Sequence, residues 1–202
     1  IEGLKQRQTG KLKGIATGFH DLDKLTSGLE PGTMWVIGAR PSLGKTSLAM
    51  NITENVLMES KVPVGVFSIE MPGRSIVERM VASIARVNTF EVGSWTEFSR
   101  VAAVSSAINR FPLYIDERTG IGIREIKAKA RRWKRNHGVR LIIVDYLQLV
   151  ATDKGEKRID GISRVSSGLK QLAKELDVAV LVLAQLNRDS EREERAPRMS
   201  DL

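Results

Sequence analysis

The stretch from Ile37 to Leu48, IGARPSLGKTSL, constrains the fold more than any other in this chain. An apolar run, Met34 to Ile37, gives way to a turn-prone segment holding Pro41, Ser42 and Gly44. Lys45-Thr46-Ser47 then opens an amphipathic helical pattern that runs through Leu57. The order is strand, phosphate-cradling loop, helix. Successive backbone N–H groups converge at a helix N-terminus, where partial positive charge favours an anion. Ser42, Leu43, Gly44, Lys45, Thr46 and Ser47 form the nucleotide-binding run. Gly44 lets the backbone approach the phosphates closely. Lys45 would reach the β- and γ-phosphates of a bound nucleotide, and the Thr46 hydroxyl would ligate Mg²⁺. The strict G-x-x-x-x-G-K-[ST] pattern wants glycine at 39, where this chain has Ala39, with Gly38 one residue early. A G-K-T tripeptide alone is a weak signal. Placed after a strand and opening a helix, it is a strong one.

The rest of the chain alternates helical and strand patterns. Phe19, Leu22 and Leu25 recur every third residue between Thr17 and Gly28, the pattern of a short amphipathic helix ended by glycine. Pro31-Gly32 turns the chain into the first strand. Val62 to Ser68 reads as a second buried strand ending at Ile69-Glu70, and Pro72-Gly73 breaks it. Ile76, Val77, Met80, Val81 and Ile84 mark a helix, Thr89 to Ser94 a loop, Trp95 to Arg110 a further helix and Pro112 to Asp116 a short strand. Ile123, Ile126, Ala130 and Trp133 form an apolar stripe on a helix crowded with cations: eight Lys/Arg against one acid between Arg124 and Arg140. A solvated outer face on a helix packed against a sheet accounts for that pattern; a nucleic-acid contact is the alternative. Val139 to Val144 is an apolar strand ending in Asp145, and Ala151 to Gly161 a charged loop. A helix over Ile162 to Leu176 and a strand over Val178 to Ala184, ending at Gln185, complete the pattern, before a mixed-charge tail.

Continuously apolar strands alternating with helices argue an α/β fold, a mostly parallel sheet covered on both faces. In such sheets ligands sit outside the carboxyl ends of the strands. Glu70, Asp145, Gln185 and the phosphate loop all fall at those ends. Asp145, after LIIV, delivers a carboxylate to the magnesium shell. Many NTPases place the water-activating glutamate directly after this aspartate, but here the next residue is Tyr146. The base must come from elsewhere, and Glu70 is the best-placed candidate to polarise a water in line with the γ-phosphate. Gln185 could sense the γ-phosphate by hydrogen bonding and pass its state to the following loop; a capping or strand-end glutamine is the alternative.

Composition narrows the setting. The formal net charge of +8 and pI near 9.9 favour a polyanionic partner beyond nucleotide, with nucleic acid the natural choice. Cysteine is absent, which excludes disulfides and thiolate metal sites, and two scattered histidines do not make a zinc centre. A reducing interior compartment is expected. No apolar run approaches the ~20 residues of a membrane span, and the N-terminus lacks the apolar core of a signal peptide.

Taken in order, TGFHDLDKLTSGLEPG, GARPSLGKTSLAMNI, VFSIEMP, LIIVDYLQLV and VLVLAQLNR resemble the motor domain of the DnaB-family replicative DNA helicases of bacteria and phages. The resemblance runs from about Gly14 to the end of the chain, and the phosphate loop with Ala39 and Pro41 fits it. It implies a RecA-like P-loop fold and a homohexameric ring encircling single-stranded DNA. It further implies ATP sites between subunits, 5′-to-3′ unwinding driven by Mg-ATP hydrolysis, and a cytoplasmic place at the replication fork with primase and a helicase loader as partners. By that resemblance Lys45 and Thr46 are the nucleotide residues, Glu70 the catalytic base, Asp145 the magnesium aspartate and Gln185 the coupling residue. Residues 1–13 would be a linker toward an amino-terminal collar, and 14–202 a motor domain cut short on its C-terminal side. The family's trans-acting basic finger is expected beyond residue 202, and its main DNA loop near Ser200-Asp201-Leu202. Lys154, Lys157 and Arg158, in the loop from Ala151 to Gly161, are candidate DNA contacts; a solvent loop is the alternative. Competing readings are another RecA-class ATPase, such as a recombinase or RadA-like repair protein, and a nucleotide-switch loader or scaffold without motor work.

Overall fold

The computed structural model describes residues 12–88, 98–152 and 157–186. Most of the expected linker, the loop at 89–94 and the tail from 187 onward lie outside the described residues, as does Lys154.

Five strands form one parallel sheet: β1 (Met34–Ala39), β2 (Val64–Ser68), β3 (Leu113–Asp116), β4 (Leu141–Asp145) and β5 (Ala179–Gln185), in the order β1-β5-β4-β2-β3. Six helices are described: α1 (His20–Thr26), α2 (Lys45–Asn55), α3 (Gly73–Ala85), α4 (Phe98–Ile108), α5 (Ile123–His137) and α6 (Arg158–Leu176). Successive strand residues point to opposite faces, and the core divides accordingly. Phe67, Ile142, Val144, Val180 and Val182 meet Ile126, Ala130 and Trp133 of α5 and Val165, Leu169 and Leu172 of α6. Val66, Leu141, Ile143, Leu181 and Leu183 meet Ile52 of α2 and Ile76 and Met80 of α3. Both faces being covered is why the strands read as unbroken apolar runs. Gly65 is required by close approach, since a Cβ there would sit 2.6 Å from the Trp133 ring.

Most expected elements stand within a few residues of their sequence limits; α2 passes into a π-helical turn, Val56–Ser60, where the sequence pattern continues a simple helix through Leu57. The cations of α5 turn out to be largely engaged within the fold. Lys127 Nζ donates to Gln171 Oε1 (2.8 Å) and Arg131 pairs with Glu175 (2.7 Å), both on α6. Lys129 Nζ lies 3.8 Å from Asp116. These contacts favour the outer-face reading of the stripe.

Two expectations are corrected. The apolar spacing of α1 predicts a buried face, yet Phe19 and Leu22 are more than a third exposed and Leu25 is 86% exposed. The buried residue is Asp23, whose carboxylate accepts from the Thr17 N–H (2.9 Å), the Thr17 hydroxyl (2.9 Å) and the Gly18 N–H (3.2 Å). Polar anchoring, not apolar burial, sets the orientation of this helix. Second, α6 starts at Arg158 rather than Ile162, with Lys157 as its N-cap. Arg158 therefore lies on a helix and not in a loop. Gly161 suggests a break in the sequence, but here it is buried inside the first turns of the helix, with Asp160 favourably placed near its N-terminus.

Candidate functional site

The carboxyl end of β1 leads into the loop from Arg40 to Gly44. Ser42 and Gly44 adopt left-handed backbone conformations, φ 62° and 84°, and Gly44 caps α2. A left-handed residue costs glycine nothing, so the loop can fold back over the helix N-terminus. This places Lys45 and Thr46 on the first turn of α2, facing the ends of β2 and β4.

Asp145, the last residue of β4, pairs in register with Ser68 of β2 and is fully buried. Its two carboxylate oxygens are divided between two partners on α2. Thr46 Oγ1 donates to Oδ2 at 2.8 Å, and Lys45 Nζ lies 3.3 Å from Oδ1. The same ammonium lies 3.0 Å from Glu70 Oε2 and 4.2 Å from the centre of the Tyr146 ring, a cation–π contact. Glu70 stands in the turn after β2. The Ser68 hydroxyl shapes that turn by donating to the Met71 carbonyl (2.6 Å), and the Ile69 N–H anchors it to the Asp145 carbonyl (2.9 Å). The Glu70 side chain is nearly half exposed, whereas that of Lys45 is buried.

A cavity of about 350 Å³ opens over these groups. Ser42, Gly44, Lys45, Thr46, Ser47, Glu70 and Gln185 all line it. The structure therefore gathers residues from four separate stretches of sequence, as expected. Leu43 is 71% exposed and is not part of the lining. Its side chain has no place in the site, leaving its backbone as the only group it can offer. Asp145 lies beneath the lining rather than in it. Lys157 and Arg158 begin α6 and are not part of the cavity.

Sequence reasoning missed two residues. Arg79 of α3 lines the cavity and makes no ion pair among the described residues; its position opposite the apolar stripe of α3 carries no distinguishing signal. Tyr146 supports Lys45 from below, and was noted only as the residue standing where other NTPases carry a glutamate.

The donor set fits a magnesium nucleotide. A hydroxyl and a buried carboxylate sharing a hydrogen bond offer hard oxygen ligands. Among the described residues no cluster of three or more His, Cys, Asp or Glu could hold a metal alone. Mg²⁺ characteristically takes one or two protein oxygens and completes its shell with phosphate and water.

A parallel sheet in this strand order, with a phosphate loop, a buried aspartate and a glutamate meeting at its carboxyl edge, defines a RecA-like P-loop domain. The comparisons agree and go further. The chain aligns over its whole length with a solved structure described as a DnaB-like replicative helicase and its interactions with primase, with a TM-score of 0.92, 28% identity and 51% of that chain covered. It is 42% identical over 200 residues to the replicative DNA helicase DnaB of Haemophilus influenzae and 37% identical over 209 residues to that of Geobacillus stearothermophilus. These alignments take in 94% and 100% of this chain, but the chain spans only 42% and 46% of those relatives. The family model for the DnaB-like helicase C terminal domain matches residues 14–202. The chain belongs to that family.

Proposed function

We propose that this chain is the Mg-ATP-hydrolysing motor of a replicative DNA helicase that translocates 5′ to 3′ on single-stranded DNA and unwinds duplex at the fork. The observation that carries the reading is the convergence of Lys45, Thr46 and Glu70 on one cavity beside the phosphate loop, with Asp145 buried beneath it against Lys45 and Thr46. Lys45 exchanges its two carboxylate partners for the β- and γ-phosphates when nucleotide enters. That exchange frees Glu70 to take a proton from a water in line with the γ-phosphorus. Thr46 and Asp145 would hold Mg²⁺, which supplies neutralisation of charge on the phosphate oxygens. The backbone from Ser42 to Ser47 cradles the phosphates, and Arg79 adds a cation at the rim. Gln185 reports the state of the γ-phosphate to the segment after β5. Residues 1–13 act as a linker, and 14–202 as the motor domain.

We propose that the whole protein works as a homohexameric ring in the cytoplasm with primase and a helicase loader as partners; the solved DnaB-like helicase described with its primase interactions supports the primase partner, and the basic charge of the chain supports nucleic acid. Among the described residues no helix is long and apolar enough to cross a membrane. Lys154, Lys157 and Arg158 remain candidate DNA contacts on the strength of their charge alone.

The test is fork unwinding and DNA-stimulated ATP hydrolysis by the full-length protein, beside Lys45→Ala. Both activities should be lost together in the variant. Strand exchange without unwinding would favour the recombinase reading, and failure to hydrolyse ATP on single-stranded DNA would favour a nucleotide switch.

A further inference from the structure

Beyond its last shared pair with β4, strand β5 has no strand neighbour on that side. Pairing between them runs from Leu141 with Ala179 to Val144 with Val182, whereas pairing with β1 continues to Ala39 with Gln185. The direction of each amide follows from the ladder. The Val180 and Leu186 N–H groups donate to Thr33 and Ala39 on the β1 side. The Ala179 N–H donates the other way, to Arg140 just before β4. Odd-numbered residues of β5 thus direct their amides toward β4, and at Gln185 that strand has already ended.

The vacant place is taken by a side chain. The Gln185 N–H donates to Gln148 Oε1 (3.1 Å), and Gln148 Nε2 donates to the Gln185 carbonyl (2.8 Å). A primary amide carries a donor and an acceptor side by side, as a strand residue does, so Gln148 completes the ladder by one rung. Gln148 sits in the 3₁₀ turn Leu147–Leu149, just after Asp145. That turn is anchored by buried Leu147 and by the Ala151 N–H donating to the Ile121 carbonyl (3.0 Å). Gln185, in the cavity lining, is thereby tied through one amide to the turn that follows Asp145.

We infer that Gln148 is a positioning residue: it seats the backbone of Gln185 at the edge of the phosphate cavity and locks it to the turn that follows Asp145. A change at Gln185 when the γ-phosphate leaves then reaches the 3₁₀ turn as well as the chain beyond β5. The inference rests on the coupling role proposed for Gln185.

The experiment compares Gln148→Met, which keeps length and volume but has no amide, with Gln185→Ala and Lys45→Ala, in the full-length protein with single-stranded DNA. For Gln148→Met, kcat for ATP should fall by about 10- to 100-fold, the scale of a misplaced group, while KM for ATP stays within about twofold. Hydrogen exchange should accelerate at 183–186 and stay slow along β4 and the rest of β5. Parental kcat, or slow exchange at 183–186, overturns the inference. So does fast exchange throughout the sheet, which would mark Gln148 as a general stability residue. Impairment in Gln185→Ala with parental behaviour in Gln148→Met removes this inference and leaves the proposed function standing. Parental turnover in Gln185→Ala removes the coupling role and this inference together, and parental turnover in Lys45→Ala removes the motor reading itself.

Discussion

Lys45 does two jobs that a single substitution will disturb together. In the proposed function it binds phosphate; without nucleotide it is the counter-ion of a carboxylate with no exposed surface. Removing it leaves the buried Asp145 carboxylate with one hydrogen bond among the described residues, from Thr46. At the observed 3.3 Å separation and an effective dielectric of ~20, the attraction is about 5 kcal/mol. Desolvation of both groups offsets part of this, and breaking a buried pair from one side costs about 3–5 kcal/mol. The Glu70 contact adds little, because that side chain is nearly half exposed. Lys45→Ala should therefore lose about 3 kcal/mol of folding stability, roughly 6–12 °C in melting temperature for a chain of this size. The assay is urea denaturation of the 202-residue chain without nucleotide or magnesium, read at constant m. In the double variant Lys45→Ala/Asp145→Asn the buried charge is gone, so its stability should match Asp145→Asn alone, giving a coupling as large as the Lys45→Ala loss itself, about 3 kcal/mol. A loss under about 1 kcal/mol for Lys45→Ala, or simple additivity in the double variant, would refute the counter-ion argument.

Glu70→Gln should keep nucleotide affinity and lower turnover by about 10²–10⁴-fold; hydrolysis at the parental rate would take Glu70 out of the base role. Gly65→Ala drives a Cβ to within 2.6 Å of the Trp133 ring, itself packed on Phe67 at 4.7 Å. Overpacking there should cost about 1–3 kcal/mol in a denaturation curve, with partial recovery when Trp133→Leu is added. Burial raises the pKa of Glu54 above the ordinary carboxylate value, outweighing the hydrogen bonds from Ser83 and Asn51. The folded state thus holds this proton more tightly than the unfolded one. The corresponding stability is present at low pH and lost as pH rises through the raised pKa. Glu54→Gln, which keeps an acceptor for Ser83, should raise the melting temperature at neutral pH, the gain vanishing toward pH ~4; an equal gain at both would contradict the assignment. Affinity for single-stranded DNA should fall with salt at a log–log slope of about −0.7 per phosphate contact, and a flat titration would exclude a phosphate-based interface.

What could be read from the sequence and what could not divide along a physical line. β2, β4 and β5 were legible because strands buried on both faces need no neighbour's identity to show themselves; VGVFS, LIIVD and AVLVLAQ carry no polar side chain before their last residue. Their carboxyl ends were legible for the same reason, since a polar residue closing such a run marks where the chain leaves the core. The gathering of Glu70, Asp145 and Gln185 beside the phosphate loop follows from that and from parallel topology alone. The misreading of α1 shows the limit. Periodicity reveals that Phe19, Leu22 and Leu25 share a face, but not which way the face points. Three hydrogen-bond donors at Thr17 and Gly18 converge on Asp23 and turn it inward, although nothing in its spacing singles Asp23 out.

Gln148 lies past that limit altogether. Its partner is a backbone left unpaired because β5 outlasts β4, a consequence of register that neither strand displays by itself. An amide in the apolar segment DYLQLV is a visible irregularity, yet an exposed turn would explain it as well. The same reasoning separates the two layers of this site. In the proposed function Lys45, Thr46 and Asp145 must be particular residues, because phosphate and a divalent cation would dictate their chemistry. Gln148 need only supply one donor and one acceptor at the correct spacing, a requirement set by the fold around it. Lys45, Thr46 and Asp145 are therefore readable from local pattern, Arg79 at the cavity rim is not, and a residue that acts on another residue becomes visible only when strand lengths and ladder direction are known.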